Sequence, residues 1–236
     1  MIVGLASYRF INNDLHFNLS QMERGLEAAR GKASLLVFGE AFLQGFHAMN
    51  WFYEQDRNVA ITQESAIMQS LRKMTVDYGV DLLVGYLEKE GERLFSSCIL
   101  IAQGEIAYNY RRISQGWKQY WMTDSHYCEG NSTSDFCYRG KTFRIALCGD
   151  LWDMPERFRT NGTLLWPVCC NFAREEWEKQ YLTEYLAQAN KVAKKTLFVD
   201  ALETGTPCVP AAFCFTPEGV AASLFDVTED ILYVEI

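Results

Sequence analysis

Apolar and polar positions change rhythm several times along this chain, and each change marks an element. Ile2 to Ala6 is a short, nearly continuous apolar run that predicts a buried strand. After the turn-forming Asn12-Asn13-Asp14, apolar residues recur every three or four positions at Leu15, Leu19, Met22, Leu26 and Ala29, the spacing of one helix face. Asn13 or Asp14 is placed to cap that helix, and Gly31 to stop it. Ser34 to Phe38 (SLLVF) predicts a strand covered on both faces. A second helix is expected over Glu64 to Tyr78, with Ile67, Leu71, Met74 and Tyr78 on one side and Gly79 at its end.

Val80 to Leu87, Leu94 to Ala102 and Ile106 to Tyr110 follow as strands, divided by turns at Lys89-Glu90-Gly91-Glu92 and Gln103-Gly104. From Ser114 to Lys141 the periodicity vanishes, and a loop of that length is usually functional or mobile. It reads as a wall or lid whose apolar content is Trp117, Trp121 and Tyr127. Thr163 to Val168 is a strand, and Glu175 to Lys195 a long helix with a core stripe of Trp177, Tyr181, Tyr185, Gln188 and Val192. Strands at Thr196 to Ala201, Ala211 to Thr216, Val220 to Phe225 and Ile231 to Ile236 finish the chain, with Pro217-Glu218-Gly219 as a turn. Alternating strands and helices make this an α/β chain. No linker or composition shift divides it, so residues 1–236 are expected to form one domain.

Composition narrows the partners. The 236 residues are 49% hydrophobic and 22% charged, enough for a substantial core. A net charge of -8 without a basic cluster argues against nucleic acid or an anionic membrane surface, leaving a small molecule as the expected partner. No apolar run spans a bilayer and no leader pattern opens the chain, so the expected location is the cytoplasm. The cysteines at positions 98, 128, 137, 148, 169, 170, 208 and 214 contain no C-x-x-C pair and read as reduced thiols. His126 has no metal-ligand spacing to His16 or His47, and zinc-protease, serine-hydrolase and dinucleotide motifs are absent from the sequence. Gly140-Lys141-Thr142 echoes a phosphate-binding loop, but Asp135 stands where that loop needs glycine. Neither a metal nor a cofactor is expected.

The chemistry concentrates between Arg144 and Glu156 (RIALCGDLWDMPE). An apolar strand gives way at Leu147 to Cys148, Gly149 and Asp150, and a helix is expected over Trp152 to Phe158. A strand-to-helix turn presents side chains at the carboxyl end of a sheet, where open α/β proteins bind ligands. Cys148 is therefore a candidate nucleophile, the alternative being a small buried hydrophobe. Glu40, directly after the SLLVF strand in FGEAFLQGF, reads either as a general base among apolar neighbours or as a solvated loop carboxylate. Arg111 and Arg112 sit at another strand end and read either as a solvated surface pair or, for Arg112, as a third polar residue placed to join Glu40 and Cys148.

Glutamate, basic residue and cysteine, each at a strand end and in that order, resemble the nitrilase or carbon-nitrogen hydrolase superfamily. Leu36 to Phe46 is similar to its first motif, and Cys148, Asp150, Pro155 and Glu156 to its third, in wording close to the amidase domain of glutamine-dependent NAD synthetases. Val84 to Leu87, Leu165 to Val168 and Phe213 to Gly219 resemble flanking strands and turns of the family, so the likeness runs through nearly the whole chain. It implies a four-layer α-β-β-α sandwich, two sheets face to face with helices outside, pairing as a homodimer. It also implies Glu40 as base, Cys148 as nucleophile and Gly149 as an oxyanion donor, with a small amide or nitrile as substrate.

The second motif departs from the family. Tyr110-Arg111-Arg112 stands where the family has Tyr-Arg-Lys, so Arg112 takes the lysine's place. The same register puts Trp121 and Tyr127 at aromatic positions, Gly130 at a glycine, and Thr123 where many members carry a second glutamate, with Asp124 beside it. The expected site is Glu40, Arg112 and Cys148 as catalytic residues, lined by Trp121, Thr123, Asp124, Tyr127, Gly149, Asp150, Trp152 and Asn171. Arginine keeps the positive charge but cannot shuttle a proton. The expected activity is an amidase using a cysteine thioester. One alternative is a catalytically impaired relative that binds a metabolite or partner protein; a second is an ammonia-producing subunit active only with its partner.

Overall fold

The computed structural model describes residues 1–225 and 228–236. Its strands, in chain order, are β1 (Ile2–Ser7), β2 (Leu35–Val37), β3 (Asp81–Glu90), β4 (Arg93–Ala102), β5 (Glu105–Arg111), β6 (Phe136–Tyr138), β7 (Lys141–Ile145), β8 (Thr163–Val168), β9 (Lys195–Asp200), β10 (Ala212–Thr216), β11 (Gly219–Leu224) and β12 (Asp230–Glu235). They form two six-stranded sheets, ordered β12-β1-β2-β3-β4-β5 and β11-β10-β9-β8-β7-β6. A third, two-stranded ladder pairs Arg9–Phe10 with Leu202–Glu203.

Each large sheet has a parallel centre, β1-β2-β3 in the first and β7-β8-β9 in the second, flanked by antiparallel strands. Period-two alternation decides which way each side chain points. Leu35, Val37 and Leu83 face the second sheet, sharing a cluster with Ile145, Leu165 and Phe198. Leu36, Leu82 and Val84 face outward onto Met22, Leu26, Met68 and Leu71 of the two covering helices. The two sheets thus pack face to face with helices outside, an α-β-β-α sandwich.

Those helices are α1 (Leu15–Ala29) and α2 (Ala66–Tyr78). Asp14 caps α1 by accepting from Phe17 N–H at 2.9 Å, and Ser65 caps α2 by accepting from Met68 N–H at 3.2 Å. Gly79, at φ 66°, closes α2 in the left-handed conformation that glycine adopts without penalty.

Three expectations need correction. The helix expected from Trp152 to Phe158 is instead the short α3 (Asp150–Asp153) followed by a 3-10 turn at Pro155–Phe158. Pro155 disfavours helical backbone at Met154, which sits at φ -142° and ψ 50°. The helix expected from Glu175 to Lys195 starts at Arg174, passes through a π-helical stretch at Trp177–Tyr181, and continues as α4 (Leu182–Asn190). Lys195 is already the first residue of β9, so the preceding residues must turn. The stretch from Ser114 to Lys141 contains a 3-10 turn at Gln115–Trp117 and the strand β6.

Candidate active site

The parallel centres explain where the chemistry collects. β2 delivers Glu40 at its carboxyl end, β7 delivers Cys148, and antiparallel β5 delivers Arg112 from the neighbouring edge. Two glycines let the Glu40 segment lie close to its neighbours. A Cβ on Gly39 would meet the Ala201 nitrogen at 2.5 Å, and one on Gly85 the Ala41 nitrogen at 2.5 Å. Glu40 N–H donates to Val168 O at 3.1 Å, which fastens the first sheet's loop to the end of the second sheet.

Glu40 and Arg112 are buried together. Arg112 Nη1 donates to Glu40 Oε1 at 2.8 Å, with side-chain exposures of 3% and 0%. Ser96 Oγ donates to the same oxygen at 3.3 Å, while Oε2 has no hydrogen-bond partner. Arg112 Nε donates to Ser114 Oγ at 2.7 Å. Nη2 lies against Gly149, where a Cβ would sit 2.3 Å from it. Burial alone would lower the Arg112 pKa, but the negative charges available at Glu40, Cys148 and Asp150 raise it on balance. The guanidinium is thus a fixed cation between the carboxylate and the thiol turn.

Cys148 takes φ 39°, a left-handed conformation unusual for a residue with a side chain. Three contacts hold it there. Its N–H donates to Pro167 O at 3.0 Å, its carbonyl accepts from Trp166 Nε1 at 3.0 Å, and Asp150 pins both ends of the turn. Asp150 Oδ2 accepts from Tyr110 Oη at 2.6 Å and Leu147 N–H at 2.8 Å; Oδ1 accepts from Ile113 N–H at 3.2 Å and Ser114 N–H at 2.9 Å. This carboxylate ties the cysteine turn to the arginine segment. Burial raises its pKa, opposed by Arg112 and by the hydrogen bonds from Tyr110, Leu147 and Ser114. Gly149 N–H makes no hydrogen bond among the described residues.

A family model described as carbon-nitrogen hydrolase matches residues 2–216. The chain belongs to the carbon-nitrogen hydrolase family. Among curated proteins, this carbon-nitrogen hydrolase is 26% identical over 165 residues to an (R)-stereoselective amidase from a Pseudomonas species, matching 70% of the chain and 57% of that relative's length. The amidase of Nesterenkonia AN1, from the nitrilase superfamily, superposes with a TM-score of 0.77 at 18% identity, covering 100% of this chain and 90% of that one. A glutamine-dependent NAD+ synthetase from Acinetobacter baumannii gives 0.75 at 16% identity, covering 98% of this chain and 44% of that one. A superfamily protein from Xanthomonas campestris with an arsenic adduct in its active site gives 0.76 at 13%, covering 99% and 89%.

The other residues singled out in the sequence are distributed unevenly in this carbon-nitrogen hydrolase. Tyr127 is buried and donates to Asp56 Oδ2 at 2.6 Å, in an aromatic cluster with Trp51 and Trp117. Trp121 is 70% exposed, Thr123 Oγ1 donates to Gln119 O at 3.1 Å, and Asp124 is exposed beside His126. No hydrogen bond links these three to Glu40, Arg112 or Cys148 among the described residues. Trp152 is 40% exposed and packs edge-on against Tyr185, and Asn171 Nδ2 donates to Glu203 Oε2 at 2.9 Å. A surface cleft of about 490 Å³, lined by Arg159, Asn161 and Lys191, opens at the amino ends of β8 and β9, away from the site.

Sequence reasoning missed Ser96, Ser114, Tyr110, Cys170 and Asp200. Ser114 sits two residues after Arg112, within side-chain reach, so it was findable. The Cys169-Cys170 pair follows a strand end just as Cys148 does. Asp200 is fully buried at the end of β9; burial first, then the Cys148 and Glu40 charges, push its carboxyl well above the usual range. Its last strand position was the available signal.

Proposed function

We propose that this carbon-nitrogen hydrolase is an amidase that cleaves a small amide through a thioester on Cys148. The observation carrying the reading is the division of labour at Glu40. Oε1 is held by Arg112 and Ser96, while Oε2 has no partner and is left as the acceptor for a proton. In this scheme Oε2 takes the Cys148 proton and the thiolate attacks the amide carbon. Charge developing on the carbonyl oxygen is met in this scheme by Arg112 Nη2, which lies against Gly149, and by Gly149 N–H. The protonated Glu40 returns its proton to the leaving nitrogen. Water then gives a proton to Glu40 and its hydroxide to the thioester, releasing acid and restoring the thiol.

Arg112 contributes charge and position but no proton, so all proton transfers fall on Glu40. A glutamate-to-glutamine variant of the Nesterenkonia amidase has been captured with acrylamide added at its active-site cysteine, and with the acetamide moiety of fluoroacetamide bound there. These adducts support a thiol as the reacting group here and make short aliphatic amides the first substrates to try.

A second reading, a binding protein with an impaired site, is favoured by the Arg112 substitution and its tight hold on Glu40. The two are separated by measuring ammonia release from short amides, carbamoyl amines and nitriles. An amidase releases ammonia with wild type and not with Cys148→Ala or Glu40→Gln. Release that survives Cys148→Ala, or none from a folded protein across the panel, overturns it.

A further inference from the structure

Amide hydrolysis needs one thiol, yet this site holds two. The β7-β8 pairing continues past the strands through Ala146 N–H to Leu165 O and Cys148 N–H to Pro167 O, so residue 148 and the end of β8 leave the sheet side by side. Two residues past β8, the buried Cys170 thiol lies 2.9 Å from Tyr185 Oη; the Tyr185 ring packs 5.1 Å from that of Trp166, whose Nε1 donates to Cys148 O at 3.0 Å, and the neighbouring Cys148 thiol adds to the upward push on the Cys170 pKa. Its N–H donates to Asp200 Oδ1 at 2.7 Å, which fixes the backbone. Cys169, whose pKa is pushed up by burial and also by the Cys148 and Glu40 charges, packs with the cluster of Phe38 and Ala201, whereas Cys148 and Cys170 share the cluster of Trp166 and Tyr185.

We propose that Cys148 and Cys170 form a reversible redox-modification site, at which a peroxide oxidises Cys148 and Cys170 closes the product into a disulfide. The inference rests on Cys148 being the reactive thiol of the amidase reading. The roles follow from the surroundings. Cys148 is only partly buried and has Arg112 beside it, so its thiolate meets the peroxide. Burial pushes the Cys170 thiol far up, so it stays protonated until a neighbouring sulfur becomes electrophilic.

The Cys148 thiolate attacks one peroxide oxygen, the O–O bond breaks, and the departing hydroxide takes the proton held by Glu40, leaving a sulfenic acid and water. Cys170 sulfur then attacks the Cys148 sulfur, and its proton leaves with the hydroxyl as a second water. Two thiols lose two electrons and the peroxide gains them. The disulfide blocks the nucleophile and shields it from irreversible sulfinic acid formation.

The test is hydrogen peroxide treatment followed by tryptic mapping without reduction. Cleavage after Arg144, Arg157, Arg159 and Arg174 puts Cys148 in peptide 145–157 and Cys170 in peptide 160–174. Wild type and Cys169→Ser should give the linked pair, released by dithiothreitol together with return of most of the lost activity. Cys170→Ser should instead accumulate Cys148 sulfinic acid and recover no activity. Absence of the linked peptide in Cys169→Ser, or full recovery in Cys170→Ser, overturns the proposal. Should Cys170→Ser misfold, phenylarsine oxide reads the unsubstituted pair: retention against a monothiol and release by a dithiol supports it, and loss to the monothiol refutes it. The peptide and arsenical readouts need no turnover, so they fail separately from the amidase assignment.

Discussion

Replacing Arg112 by methionine keeps most of the side chain's length and removes its charge. The guanidinium is 3% exposed and its partner carboxylate 0%, so the variant strands a buried anion with Ser96 Oγ at 3.3 Å as its remaining donor. Removing one partner of such a pair costs about 3–5 kcal/mol, because the survivor keeps its desolvation penalty. In a protein of this length, where ~1 kcal/mol shifts Tm by ~2–4 °C, that is a fall of roughly 6–20 °C. Glu40→Gln should also destabilise, since the cation then has only neutral partners. Combining the two removes both charges, and the double variant should be more stable than the sum of the single losses by about 2–3 kcal/mol. Urea unfolding of the four proteins, followed by tryptophan fluorescence at one pH, completes the cycle. Losses that simply add would refute the claim that the two charges depend on each other. Where Arg112→Met still folds, kcat should fall by about 10²–10³, the scale of losing one oxyanion donor.

Asp150→Asn offers one oxygen to a site built around four donors and turns an NH2 toward the rest, so a loss of about 2–4 kcal/mol in urea unfolding is expected, with activity falling as the arginine and cysteine segments separate. An unchanged midpoint would show that those bonds are dispensable. Asp200 supplies a pH prediction. Its folded pKa is raised above the unfolded 3.8, so between the two values the folded state holds the extra proton and stability falls as pH rises. Asp200→Asn lacks that titration and should gain on wild type above about pH 4, by up to about 1.4 kcal/mol per pH unit, whereas the two should converge below it. Paired unfolding curves at pH 4 and pH 7 check the sign, and a gap that closes with rising pH would contradict it.

Elements defined by their own periodicity were legible in the sequence. Thr163–Val168 is the strand its apolar run describes, and Leu15–Ala29 is the helix set by its stripe and its Asp14 cap. The two-residue ladder of Arg9–Phe10 with Leu202–Glu203 was hidden, since so short a stretch has no period and its partner lies far along the chain. The long helix was overextended because Val192 keeps the apolar stripe going, although the chain must turn to enter β9 at Lys195. Glu40, Arg112 and Cys148 could be named because each follows a strand and their order resembles a known family. Asp150 was read as a ligand contact, yet its four partners make it the clamp between two segments. Residues 110–114 are too distant in sequence for spacing to reveal that role. Trp121 and Asp124 were placed by a linear register, which carries no information on whether a loop side chain turns toward the site or toward solvent.

The central claim is that Cys148 becomes acylated by an amide. Rapid acid quench of the protein with a short amide, followed by tryptic mass mapping, tests it most directly. A hydroxylamine-sensitive acyl group on peptide 145–157, absent in Cys148→Ala, is the predicted result. Ammonia release with no such adduct on the wild-type peptide, or undiminished in Cys148→Ala, would contradict the account.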